Sequence, residues 1–71
     1  MSSFAAAQQA KGRALERFLA RYPEVSGVGI MRVGRGWGLK VNLTRTPKRR
    51  LPPNVDGVPV VSEVIGEVVA R

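Results

Sequence analysis

Apolar positions change their period along this chain, and the changes divide it into segments. Between Phe4 and Tyr22, the residues Phe4, Ala7, Ala14, Leu15, Phe18, Leu19 and Tyr22 recur at threes and fours, the spacing that gathers side chains on one face of an α-helix. The pattern predicts a helix over residues 4–22. Ser2 or Ser3 can cap its start by accepting a backbone hydrogen bond, and Pro23 disfavours helical geometry at Tyr22. Gly12 weakens the middle of the helix by about 1 kcal/mol relative to Ala, and a close backbone contact there would account for its presence.

After Pro23 the period becomes two. Val28 and Ile30 fall on one side of a strand, with Gly27, Gly29, Met31 and Val33 on the other. Gly27 and Gly29 are expected where a neighbouring backbone packs closely against this strand. Gly34-Arg35-Gly36 tolerates the positive φ of a tight turn, after which Trp37, Leu39, Val41 and Leu43 alternate with Gly38, Lys40, Asn42 and Thr44. A hairpin of strands over about 25–33 and 37–44 follows. Residues 45–57 are polar and basic, and their Pro47, Pro52 and Pro53 cannot donate ladder hydrogen bonds, so the segment reads as a long loop with a functional role or mobility. From 58 to 69, β-branched residues predict one bent strand or two, with Gly66 at the bend.

This order predicts an α+β domain, an N-terminal helix packed on a small antiparallel sheet of three or four strands. The last strand carries Val60, Val64 and Val68 on one side and Val61, Ile65 and Val69 on the other. A strand apolar on both sides of a two-layer domain needs a second cover, and another copy of a chain this short is the simplest one. We therefore expect a homo-oligomer with Val60, Val61, Val64, Ile65 and Val68 at its interface. Trp37, in phase with Leu39 and Val41, belongs to the core or to that interface.

Length sharpens the same expectation. A chain of 71 residues makes a single domain, and ordering it costs on the order of 100 kcal/mol of conformational entropy, which so small a core offsets with little to spare. With no Cys and no His, neither disulfides nor the usual zinc ligands are available to help. No cofactor or metal is expected.

Charge brings in a candidate chemistry. Twelve Lys and Arg stand against 5 Asp and Glu, a formal net charge of +7 that attracts anionic partners over roughly a Debye length. Arg45, Lys48, Arg49 and Arg50 lie close enough in sequence to contact successive phosphates, and Arg32 and Arg35 near the hairpin extend the patch. Nucleic acid is the leading partner and an acidic protein the next. Arg13, Arg17 and Arg21 repeat every fourth residue on the helix and read as its solvated face.

Recognisable catalysis is absent from this composition. Without His or Cys, the commonest general base at neutral pH and the thiolate nucleophile are missing. Gly34-Arg35-Gly36-Trp37-Gly38 lacks the Lys-Ser/Thr ending of a phosphate-binding loop and leads into a strand, so it reads as a hairpin turn. A carboxylate-dependent hydrolase resting on Glu63 and Glu67 is the least favoured class, since those two fall on one side of a strand where solvent is their default neighbour.

Residues 25–67 carry V-S-G-V-G-I, then G-L-K-V-N-L, then L-P-P-N-V-D-G-V-P-V and V-I-G-E-V. This string resembles a small bacterial module that also occurs near the start of some trypsin-like serine peptidase homologues. The resemblance implies a recurrent module and no activity, since the peptidase portion has no counterpart here. The functional expectation is thus a non-enzymatic, homo-oligomeric binding or assembly module that engages nucleic acid or another polyanion, with a protein-interaction or regulatory module as the alternative. No apolar run approaches the roughly 20 residues that span a bilayer, and no secretory leader is evident, so a soluble, cytoplasmic protein is expected.

Overall fold

A computed structural model describes residues 2–66 of the chain. Helix α1 spans Phe4–Arg21, and the strands are β1, Val25–Val33; β2, Gly36–Leu43; β3, Asn54–Val55; and β4, Val58–Val64. The four strands form one sheet in the order β1-β2-β4-β3, with α1 on one face. The α+β architecture is therefore as expected, but the sheet is mixed rather than antiparallel. β1 pairs antiparallel with β2 and β3 antiparallel with β4, whereas β2 and β4 run parallel from Leu39 opposite Val60 to Leu43 opposite Val64.

Local chemistry accounts for the helix limits. The Ser3 side chain accepts a hydrogen bond from the backbone N–H of Ala6, and Tyr22 leaves helical geometry while its N–H still reaches the Phe18 carbonyl. Both ends thus satisfy groups that a helix leaves orphaned. The buried stripe is Ala7, Ala10, Ala14 and Phe18, rotated from the expected face: Ala10 is inside, while Leu19 and Phe4 are largely exposed. Alanine at three of these positions lets the helix axis approach the sheet closely. Opposite it stand Leu39, Val41 and Leu43 of β2 with Val25 and Val28 of β1, and Val55 and Val58 complete the core.

Parallel pairing of β2 with β4 requires a crossover, which residues 44–57 provide. This segment is tied down along its length. Thr44 donates to the Glu24 carbonyl through both its N–H and its hydroxyl, at 2.8 and 3.2 Å, and the Tyr22 hydroxyl donates to the Arg50 carbonyl at 3.2 Å. Leu51 packs against the core, and the Val60 N–H reaches the Pro53 carbonyl. The expected long loop of 45–57 is corrected at its end, where Asn54–Val55 forms β3 and a two-residue Asp56-Gly57 turn leads into β4. Both turn residues have positive φ, 51° and 79°, the pattern of a type I′ hairpin.

The helix-free face of the sheet carries Met31 and Val33 of β1, Lys40 and Asn42 of β2 and Pro59, Val61 and Glu63 of β4, as strand alternation from the register requires. Lys40 and Glu63 form an ion pair at 2.9 Å. A Cβ placed on Gly12, Gly27 or Gly29 meets nothing within 4 Å, so the close backbone contacts expected at those glycines are not found among the described residues. Gly38, by contrast, is crowded. The predicted final strand over 58–69 ends, as a strand, at Val64; Glu67, Val68 and Val69 lie outside the described residues.

Candidate functional site

Where α1 ends and β1 begins, the chain turns through Tyr22, Pro23 and Glu24, and the start of the crossover folds back beside it. The two hydrogen bonds from Thr44 to the Glu24 carbonyl fix that juxtaposition. Between the segments lies an open cleft of about 440 Å³, lined by residues 20–24 on one side and by Arg45, Lys48 and Arg49 on the other. Its size falls in the range of about 300–1,000 Å³ typical of small-ligand sites.

The rim is cationic. Arg21 comes from the last turn of the helix, and Arg45, Lys48 and Arg49 come from the crossover. Among the described residues, none of these four forms an ion pair; the two ion pairs are Arg13–Asp56 at 3.2 Å and Lys40–Glu63 at 2.9 Å. Inward of that rim the chemistry changes sign. Glu24, which also lines the cleft, is only 4% exposed and is the buried charged residue of the described chain. The cleft also adjoins the C-terminal end of α1, where the last carbonyls lack helical donors and carry partial negative charge. Cations around an acceptor-rich floor define the site.

The structure divides the cations expected to act together. Arg45, Lys48 and Arg49 converge on the cleft, whereas Arg50 is exposed beside it and contributes its carbonyl to Tyr22. Arg32 and Arg35 belong to the opposite end of the molecule. Arg35 occupies the β1–β2 turn, and seven steps along β2 at about 3.3 Å per residue separate that turn from Leu43, roughly 23 Å. The Arg32 guanidinium lies 5.2 Å from the centre of the Trp37 ring, which meets Phe4 edge-on at 5.0 Å. Trp37 is half-buried in that stack against its own chain.

Arg21 and Glu24 are the members that sequence reasoning misses. Arg21 shares the four-residue repeat of Arg13 and Arg17, which reads as a solvated stripe; its distinguishing signal is its place one residue before the cap, where the chain leaves the helix. Of that stripe, Arg13 turns instead to Asp56 in the β3–β4 turn. The expected interface residues also divide. Val60 packs on the core, whereas Val61, Val64 and Ile65 are 38%, 50% and 47% exposed. Among the described residues no group of three or more acidic side chains could hold a metal ion, and no helix is long and apolar enough to cross a membrane. No family model matches the chain, and neither curated proteins nor solved structures match it.

Proposed function

We propose that this chain is a non-enzymatic binding module that takes a polyanion, nucleic acid first, in the cleft between the end of α1 and the start of the crossover. The observation that carries the reading is the convergence of Arg21 with Arg45, Lys48 and Arg49 around one concavity, from segments more than twenty residues apart in the chain. Phosphate binding requires charge within reach, and these side chains have it without an ion-pair partner among the described residues. A concave site of this size suits a single-stranded chain, one nucleotide at a time, better than a duplex, whose grooves are entered by protruding elements.

Fluorescence anisotropy with a labelled single-stranded oligonucleotide tests this. The two phosphates that flank a bound nucleotide, at a slope of about −0.7 each for single strands, lower the affinity roughly 7-fold for a fourfold rise in salt when neutralised. Arg45→Ala, Lys48→Ala and Arg49→Ala each reduce that slope, while Arg35→Ala, at the far end of β2, leaves it unchanged. Affinity insensitive to salt and to the three substitutions rejects the proposal.

A second reading, self-assembly, is favoured by the exposed apolar residues at the end of β4, Val61, Val64 and Ile65. Beyond Val60, whose N–H reaches the Pro53 carbonyl, the strand has no described partner on the side opposite β2. A second copy pairing there would extend the sheet and cover them. The resemblance to the peptidase-associated segment implies a recurrent module, which a self-assembling unit would suit.

A further inference from the structure

Glu24 is hard to reconcile with a ligand that is only an anion. A phosphate drawn in by Arg21, Arg45, Lys48 and Arg49 would sit beside Glu24, a residue only 4% exposed whose carboxylate joins neither ion pair of the described residues. The adjoining helix end adds carbonyl dipoles of the same sign. A buried carboxylate without a donor costs free energy, and that cost is removed by any ligand that brings donors to it. The side chain is not sealed off either: Asn42 Oδ1 is the fully enclosed side-chain polar atom without a partner among the described residues, whereas Glu24 lines open space. The ligand that satisfies rim and floor together carries an anion next to a group of paired hydrogen-bond donors.

Resting on the polyanion reading above, we infer that the cleft selects guanine in single-stranded nucleic acid, its Watson–Crick edge against Glu24 and its flanking phosphates on the cationic rim. Guanine presents N1–H and the 2-amino group side by side, two donors that match the two oxygens of a carboxylate. Adenine and cytosine each offer an amino group next to a ring acceptor, which a carboxylate repels, and thymine and uracil offer a single imino donor between two carbonyls. Pairing in a duplex occupies the guanine edge, so the strand must be single. The volume of about 440 Å³ is that of a site for one nucleotide, not for a stacked run.

The experiment is a set of anisotropy titrations with a labelled oligothymidine carrying one central guanine, adenine, cytosine or hypoxanthine. A bidentate base contact predicts that the guanine strand binds about tenfold tighter than the adenine, cytosine and unsubstituted strands. Hypoxanthine, which keeps N1–H but lacks the 2-amino group, falls between. Glu24→Gln, nearly isosteric, exchanges one acceptor oxygen for a donor, so it removes the guanine preference and favours the adenine and cytosine strands instead while the salt dependence persists, and circular dichroism of the variant checks that the fold is kept. Should that variant fail to fold, the hypoxanthine strand decides. Equal binding of all strands by the unaltered protein, or a preference for cytosine or adenine, overturns the guanine assignment and leaves the polyanion reading standing. No binding of any strand at low salt overturns both.

Discussion

A methyl group added at Gly38 meets Val33 Cγ2 at 2.6 Å and the Pro59 carbonyl oxygen at 2.9 Å. The first neighbour is a stiff β-branched side chain and the second is backbone, so neither can yield without moving a strand. Gly38→Ala is therefore expected to destabilise the domain by about 1–3 kcal/mol, read as a fall in the urea midpoint. Gly12 is the opposite case, exposed in mid-helix with nothing near its missing Cβ. Gly12→Ala gains about 1 kcal/mol from helix propensity alone, which in a domain of this size raises the melting midpoint by about 4–8 °C. A destabilised Gly12→Ala protein would mean that this helix face is covered in solution. The contrast is invisible in the sequence, where both are single glycines inside a periodic segment and only the fold says which one has a neighbour.

Among the elements, those with strong local periodicity are legible in the sequence and those defined by distant partners are not. α1, β1 and β2 follow from three-and-four spacing, alternation and the turn at Gly34-Arg35, because each is specified by its own residues. β3 is two residues long and is held by β4 and the core, so periodicity carries no trace of it. The Asp56-Gly57 dipeptide is its one available signal. The parallel arrangement of β2 and β4 is also hidden, since the crossover lacks the helix that usually announces one. The cleft inherits this pattern: the cations of residues 45–49 can be read from the chain, but Arg21 and Glu24 join them only through the crossover. Gly57 tests the element that closes it. A Cβ there has open space, yet φ is +79°, so Gly57→Ala costs about 1–2 kcal/mol through backbone conformation alone. Weaker hydrogen-exchange protection is expected at Val58 and Val60, next to the turn.

At the scale of the whole molecule, the two faces of the sheet are treated differently. One is closed by α1, and the other keeps Met31, Val61 and the Lys40–Glu63 pair at the surface. If copies associate through the end of β4, a charge at Val64 or Val61 removes the association without touching the core. Val64→Glu is then expected to sediment as a monomer at micromolar concentration while the parent protein is larger, and its far-ultraviolet circular dichroism stays the same. A parent protein already monomeric under those conditions excludes the β4 contact as an assembly surface.

The crossover that carries the cations is also the piece of chain that must close before β4 can lie alongside β2. Breaking that closure scatters Arg45, Lys48 and Arg49 from Arg21, so an opened polypeptide keeps its charge and loses its receptor. Occupancy and folding are therefore thermodynamically linked: a ligand at a hundred times its dissociation constant raises the unfolding free energy by about 2.7 kcal/mol. If the cleft takes a strand as proposed, protein heated together with it melts later than the empty one, and the size of the delay ranks candidate strands by how tightly each is held.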